Sequence, residues 1–233
     1  MGWFSDACSA VSSAFSSVCS AVSSACSSVL SGISNVLNSS SGSFITALAL
    51  ALPISGALAK AITAIDVISK ILGMLEPNET TEEIGDRAIQ AQDHGISPEN
   101  YATYKEYLAA IKSFELDPKK SAETSDLDKM AAGIGVQYWG FEEKFGVGTG
   151  DLLSKTVESP DYFTGDRLAS FLDKVENISD VVQFFDGKLS SNERNAVEDK
   201  LIEAEKSINP DKATANILKE LNDNTQFRNY THE

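Results

Sequence analysis

Only two histidines and three cysteines occur in this 233-residue sequence, which leaves little material for a metal site or a hydrolase site. Its two histidines, His94 and His232, lie in no His-Glu-x-x-His or related metal-binding pattern. The glycine-rich segment at residues 145–151 lacks the Lys-Ser/Thr ending with which a phosphate-binding loop holds a nucleotide, and it follows no predicted strand. We interpret this segment as a helix-to-helix turn. We predict no enzyme activity, no cofactor and no metal site.

The three cysteines are Cys8, Cys19 and Cys26, and their spacings place them on one side of a helix. On one helix they would be roughly 10 Å or more apart, which is too far for a disulfide bond. Their number is odd, so pairing between two copies of the chain is one alternative. We favour the interpretation that they are small apolar residues in a reduced compartment.

Charge is divided very unevenly along the sequence. Residues 1–75 carry only Asp6, Lys60, Asp66 and Lys70, whereas the remaining residues hold the whole net charge of −15. So acidic a chain would not neutralise phosphates, and we expect no nucleic-acid partner. Residues 7–59 carry no charge at all. Because a soluble domain needs a charged outer face, this region predicts membrane contact, assembly or burial.

Residues 5–37 are a low-complexity run of Ser, Ala, Val and Cys whose order follows the period of a helix. One stripe of this helix is apolar and contains Val11, Phe15, Val18, Val22, Val29, Ile33 and Val36. The opposite face is rich in serine and includes Ser9, Ser13, Ser16, Ser20, Ser24, Ser27 and Ser31. The helix would reach roughly 50 Å, longer than a bilayer core of about 30 Å.

The serine face has three interpretations. It would allow close approach and hydroxyl hydrogen bonds between packed helices. It would also suit the water-filled lumen of a pore, because hydroxyl groups replace part of an ion's hydration. The third interpretation is an amphipathic helix that lies on a membrane surface.

Residues 44–75 are the segment that we predict to insert into a membrane. Residues 44–65 carry only one charge, on Lys60, and a segment of this length can span a bilayer. Pro53 would kink the helix or divide it into a short hairpin. Asp66 and Lys70 form an i,i+4 pair that should lie on a wet face. The insertion residues are Phe44, Ile45, Leu48, Leu50, Leu52, Pro53, Ile54, Leu58, Ile62 and Ile65. A very apolar core helix is the alternative.

The composition changes at residue 76, and we place a boundary there between a charge-poor front region (1–76) and an acidic helical domain (77–233). Gly95 should end the first acidic helix. Helix starts are predicted at Thr80 with Glu83, at Ser97-Pro98-Glu99, at Ser125 with Asp128, after Thr164, after Ser179, at Ser190 with Glu193, and near Lys212. The predicted class is all-α: a long amphipathic helix, a hydrophobic helix or kinked hairpin, and an acidic helical bundle.

The run of Ser, Ala and Cys followed by FITALALALPISGALAKAITAI resembles the organisation of small bacterial pore-forming effectors that contractile injection machines of the type VI kind deliver. The resemblance implies a toxin that inserts into a target membrane as an oligomer and depolarises or permeabilises it. The lipid bilayer and further copies of the chain would be its partners. Its own acidic helices, or a chaperone, carrier or immunity protein, would mask the apolar end. Because the N-terminus lacks a basic signal region, we expect synthesis in the cytoplasm and a signal-independent route to the membrane.

A structural or assembly protein is the alternative function. It would be a subunit of a phage, a secretion apparatus or a membrane scaffold. The front helices of several copies would pack in a symmetric oligomer, and the acidic helices would cover the outside.

Overall fold

The computed structural model describes residues 21–37, 55–146 and 149–225, and every regular element in these ranges is helical. The α-helices are α1 Ser24–Leu37, α2 Ser55–Ile71, α3 Thr81–Gln92, α4 Tyr104–Ser113, α5 Pro118–Glu123, α6 Asp126–Phe145, α7 Thr149–Glu158, α8 Gly165–Lys174, α9 Ile178–Phe185, α10 Ser191–Ile208 and α11 Thr214–Asp223. A short 3-10 turn covers Pro98–Asn100. The described ranges contain no strand, which confirms the predicted all-α class.

Several helices begin where the sequence predicted, because a side chain satisfies the free amides of their first turn. Before α3, the Glu83 amide donates to the Thr80 hydroxyl (3.2 Å), and the Thr80 amide donates to the Glu83 carboxylate (3.1 Å). Before α6, the Ser125 hydroxyl accepts a hydrogen bond from the Asp128 amide (3.1 Å). Ser190 precedes α10 in a third predicted cap.

Two predicted turns and one further helix start are also confirmed. Gly95 follows α3 with a φ of +80°, and its amide and that of Ile96 donate to the last carbonyls of the helix. This paired arrangement ends a helix at a glycine that adopts the left-handed region. Thr164 precedes α8. α6 ends at Phe145 and α7 begins at Thr149, so the glycine-rich segment comes between two helices along the chain.

The predicted start of the second acidic helix is wrong. Pro98 begins only the 3-10 turn, after which the backbone is extended at Tyr101. The helix itself starts at Tyr104, because the Thr103 hydroxyl accepts the Glu106 amide (3.3 Å). Ser97 makes no capping bond with its side chain, so a proline at the first position was not enough to start an α-helix there.

Other boundaries differ by a few residues, and two helices were not predicted. Ser179 lies inside α9, because the Asn177 side chain accepts its amide (3.1 Å) and caps the helix. α11 begins at Thr214, two residues after Lys212. The short α5 follows Asp117, whose carboxylate accepts a first-turn amide, and α7 follows the glycine-rich turn.

The most extensive helix contact joins α3 to α6. Gly85 on α3 and Gly133 on α6 lie at this crossing, and a Cβ on Gly85 would overlap the Lys129 carbonyl oxygen and lie 2.6 Å from the Gly133 nitrogen. Two helix backbones approach this closely only where side chains are absent. The same crossing brings Thr81, at the start of α3, beside Gln137, one turn after Gly133.

An aromatic cluster joins α8 and the segment before it to α9. It contains Phe163, Phe171, Phe184 and Phe185. Beside it the Arg167 guanidinium donates to the Glu205 carboxylate and to the Tyr162 carbonyl, and it lies 4.1 Å above the Tyr162 ring. Glu205 is only 1% exposed, and pairing is what allows two such charges to be buried.

Asp186 connects α7 to the end of α9. Its carboxylate accepts hydrogen bonds from Lys155 (2.8 Å) and Lys188 (2.7 Å). Burial alone would raise the pKa of Asp186, but the hydrogen bonds and charges of the two lysines outweigh burial and hold this pKa below 3.8. A carboxyl whose pKa is lowered by folding stabilises the fold above its unfolded pKa, and this contribution is lost as the pH falls through the folded pKa.

We therefore expect Asp186→Asn to lower the free energy of unfolding by roughly 2 kcal/mol near neutral pH, the scale of a hydrogen bond between charged groups. The deficit should shrink as the pH falls below about 4, because the wild-type carboxyl is then protonated in turn. Urea unfolding across this pH range measures it. Asp173→Asn, at a side chain that is 71% exposed, is the matched control and should change little. A loss of unfolding free energy that stays constant with pH would contradict a lowered pKa for Asp186.

Candidate functional site

The candidate site consists of α1 and α2, which we call the front helices, and the surface on which they lie. α1 contacts α6, α3 and the 3-10 turn, whereas α2 contacts α8, α7, α6 and α3. We call α3 to α11 the acidic bundle. Both front helices therefore pack on helices that the sequence assigned to the acidic domain.

The described part of the apolar stripe faces the acidic bundle. Val29 has no exposed surface and Ile33 is 2% exposed, whereas Val22 and Val36 are half-buried at the two ends. This arrangement follows from amphipathicity, because the apolar side of a helix leaves water by packing on a neighbour. The other predicted stripe residues, Val11, Phe15 and Val18, lie outside the described residues.

The described serines of α1 are less enclosed than its stripe. Ser24 is exposed, and Ser27 and Ser31 are half-buried. Ser9, Ser13, Ser16 and Ser20 lie outside the described residues. Part of the serine face is therefore accessible on the surface of the folded chain.

The predicted insertion segment is described only in its second half. Ile65 is 4% exposed and Ile62 is half-buried, while Leu58 lies within α2. Phe44, Ile45, Leu48, Leu50, Leu52, Pro53 and Ile54 lie outside the described residues. Among the helices of the described ranges, none combines the length and the apolar character needed to cross a bilayer.

Lys60 lies on the solvent side of α2. Its ammonium group contacts the Asp161 carboxylate at 2.5 Å, and both side chains are more than half exposed. An exposed pair of this kind stabilises a fold by at most about 1 kcal/mol, so it orients α2 against the segment before α8 without holding it firmly.

The start of α1 is capped by a side chain of the acidic bundle. The Ser23 amide donates to the Asp128 carboxylate (2.7 Å), and Asp128 is 7% exposed. The buried thiol of Cys26 donates to the carbonyl of the same aspartate (3.4 Å). A carboxylate at a helix N-terminus is favourable because it meets free amides and the positive end of the helix dipole. Cys8 and Cys19 lie outside the described residues.

The predicted wet-face pair of Asp66 with Lys70 is wrong. Asp66 is half-buried, and its carboxylate accepts both the amide (3.1 Å) and the hydroxyl of Thr81 at the start of α3. Lys70 is exposed. The N-terminus of α3 offers the Asp66 carboxylate two hydrogen-bond donors away from water. Such bonds are stronger than an exposed ion pair with Lys70, so the carboxylate binds Thr81 instead.

The hydrogen-bond chain continues from Thr81 into the core. The Gln137 amide donates to the Thr81 hydroxyl (2.6 Å), and the Ser69 hydroxyl donates to the Gln137 oxygen (2.5 Å). Ser69, Thr81 and Gln137 have no exposed surface. No sequence pattern described above predicted a role for Ser69, Thr81 or Gln137. The available signal was a polar residue inside an apolar run, as Gln137 is between Val136 and Tyr138.

The comparisons with known proteins give no family for this chain. No protein-family model, no curated protein and no solved structure matches it. The function is therefore argued from the residues and contacts of the chain itself.

A polar cleft of about 640 Å³ lies between the start of α8 and α11, and Asp161, the partner of Lys60, is one of its lining residues. Arg167, Lys212 and Glu220 line it, and the Lys212 ammonium group donates to the Glu220 carboxylate at 2.6 Å. Arg167 is held by Glu205 and Glu220. These charges satisfy one another, as in a structural ion network. The described residues contain no group of three or more His, Cys, Asp or Glu side chains placed to hold a metal ion.

Proposed function

We propose that this protein acts on membranes. In the folded chain the front helices lie on the acidic bundle, and at a target bilayer the charge-free front region leaves the bundle and inserts. Several copies then form a pore that depolarises or permeabilises the membrane. The chain would be made in the cytoplasm and delivered as an effector by a signal-independent route.

This proposal rests on one observation: the apolar side chains of both front helices are buried against the acidic bundle. Val29 and Ile33 on α1, and Ile65 and Ile68 on α2, are each at most 4% exposed, and the helices beneath them belong to the acidic bundle. A chain that carries an uncharged, insertion-competent region must cover it from water before it meets lipid. Packing within one chain supplies this cover without a second protein.

The distribution of charge supports the same proposal. Residues 7–59 have no charged side chain to oppose transfer into hydrocarbon, whereas a single charge at bilayer depth costs about 2.5–3.5 kcal/mol. Residues 76–233, which carry the whole net charge, would stay at the membrane surface. At the mouth of a pore it would raise the local concentration of cations.

In the proposed pore, the serine face would line the water-filled channel. In an oligomer, the hydroxyl groups of residues such as Ser24 and Ser31 would face water while the valine and isoleucine stripe faces lipid. Helix faces in membranes are commonly divided in this way, with polar residues turned away from the hydrocarbon.

One observation favours the assembly alternative. Ser24 is exposed and Ser27 and Ser31 are only half-buried, so a small-residue face on α1 is accessible for contact with another copy. An assembly subunit would use this face in water, without lipid. Large regular particles and no membrane permeability would be its signature.

We expect Leu50→Lys in the full chain to reduce ion flux across liposomes about a hundredfold, because a lysine at mid-bilayer depth costs about 2.5–3.5 kcal/mol. Flux is measured by release of an ion-sensitive dye after purified protein is added. Asn78→Lys introduces the same charge at an exposed residue outside the charge-free region and is the matched control. Circular dichroism first checks that each variant keeps its helical content.

Two results would contradict the proposal. Equal flux from Leu50→Lys and the wild type would exclude this segment as the inserted one. A wild-type chain that forms large particles and leaves liposomes sealed would favour the assembly alternative.

A further inference from the structure

Four hydrogen-bonded polar residues lie in the contact between α2 and the acidic bundle. Ser69 and Asp66 lie on α2 beside the buried Ala64, Ile65 and Ile68. Their hydrogen bonds form a loop that leaves α2 at Ser69, passes through Gln137 and Thr81, and returns to α2 at Asp66. We call this loop the relay.

The relay has a fixed direction. An ionised carboxylate only accepts hydrogen bonds, so the Thr81 hydroxyl must donate to Asp66 and is left to accept from the Gln137 amide. The Gln137 oxygen then accepts from Ser69. The Thr81 hydroxyl is therefore used both as a donor and as an acceptor, and it joins Asp66 to the rest of the relay. Hydrogen bonds in such a chain strengthen one another.

α2 ends in a regular helix-terminating turn at Gly73. Gly73 has a φ of +71°, and a Cβ at this position would meet no atom within 4 Å. The Gly73 amide donates to Lys70 (3.1 Å) and the Met74 amide to Ser69 (2.8 Å), which closes the helix. Seven residues (74–80) separate this glycine from Thr81, so α2 is joined to its relay partner by a short connection.

We propose that the relay is a latch: it holds α2 on the acidic bundle and determines how often α2 separates from the bundle. If α2 separates from the bundle, the Thr81 hydroxyl loses its acceptor Asp66 and the Gln137 oxygen loses its donor Ser69, and both positions are completely buried in the folded chain. Apolar contacts tolerate sliding and partial separation, whereas unsatisfied buried donors do not. The role of this opening in membrane insertion rests on the proposed function; the latch itself does not.

Thr81→Val tests the latch, because valine keeps the shape of threonine and removes the hydroxyl that joins Asp66 to Gln137. We expect amide hydrogen exchange of residues 62–71 to become roughly tenfold faster, with exchange of α10 unchanged. Mass spectrometry of the full chain in water measures both. The matched control is Thr103→Val, which removes a hydroxyl that caps α4 and has no bond to the relay. It should leave residues 62–71 unchanged.

Ser69→Ala is the second variant and covers the case in which Thr81→Val does not fold. It removes only the first donor of the relay, and it should accelerate exchange of the same residues by a smaller factor. Unchanged exchange of residues 62–71 in both variants would overturn the latch. Uniform acceleration in every helix would also overturn it, because the relay would then act only on global stability.

The latch and the membrane proposal fail in different ways. Selective acceleration of α2 together with faster liposome flux supports both. Selective acceleration with no flux from any form of the chain supports the latch and contradicts the proposed function. Faster flux from Thr81→Val without any change in the exchange of α2 contradicts the latch alone.

Discussion

Gly85→Ala is expected to lower the free energy of unfolding by roughly 3 kcal/mol, at the upper end of overpacking substitutions. For a chain of this size the melting temperature should fall by roughly 6–12 °C. A Cβ at Gly85 would overlap the Lys129 carbonyl oxygen, and one at Gly133 would lie 2.8 Å from the Thr81 carbonyl carbon. Both obstacles are helix backbone, so neither can rotate away, and α3 and α6 would have to separate.

The matched control is Gly32→Ala. Gly32 is also helical and buried, and a Cβ there would lie 2.7 Å from the Glu99 carboxylate. That carboxylate is the end of a flexible side chain and can move, and alanine favours the helix by about 1 kcal/mol over glycine. We expect Gly32→Ala to be close to neutral. Equal thermal stability of the two variants would contradict the close crossing of α3 and α6.

Helix starts could be predicted wherever the signal was local. A capping box such as Thr80 with Glu83 uses side chains three residues apart, so the sequence alone contains both partners. The start of α4 was missed although Thr103 and Glu106 have the same Thr-x-x-Glu spacing, because the Ser97-Pro98 pair was preferred as the start; the structure instead has a 3-10 turn after Ser97 and an extended backbone at Tyr101. Local patterns therefore located most helices but not all of their ends.

The candidate site could be predicted only as far as helical periodicity extends. The stripe containing Val29 and Ile33 was placed on one face of α1, and both residues are buried. The surface that covers them was not predictable, because it depends on contacts between distant parts of the chain. The bond from Ser23 to Asp128 joins residues 105 positions apart.

Asp66 illustrates the same limit in energetic terms. Its charge and its spacing from Lys70 favoured an exposed i,i+4 pair, an interaction that contributes at most about 0.5 kcal/mol. The tertiary fold instead offers Asp66 an amide and a hydroxyl at the start of α3, and hydrogen bonds to a charged group contribute about 1.5–3 kcal/mol. The stronger tertiary interaction overrides the local one.

A reversible covalent tether between α2 and α8 is expected to abolish ion flux, because the front region could no longer leave the acidic bundle. Val67 and Gly165 suit this purpose, since the Val67 Cβ lies 2.5 Å from the position of a Cβ on Gly165. A disulfide needs about 3.5–4.5 Å between the two Cβ atoms, so a shift of about 1 Å at the start of α8 accommodates it.

The tether is made as Val67→Cys with Gly165→Cys in a chain whose three native cysteines are replaced by alanine. That cysteine-free chain is the parent against which flux is compared. Val67→Cys alone is the matched control, because it meets the same oxidant and reductant but cannot close the bond. A non-reducing gel and a thiol assay establish that the bond is intramolecular and complete before any flux is measured.

The central claim is that the front helices must leave the acidic bundle for the protein to permeabilise a membrane, and ion flux from liposomes with the tether oxidised and then reduced tests it most directly. We expect the oxidised protein to give no more flux than liposomes alone, and the reduced protein to match the cysteine-free parent. Flux from the oxidised protein equal to that of the reduced protein, with the bond intact, would contradict the claim.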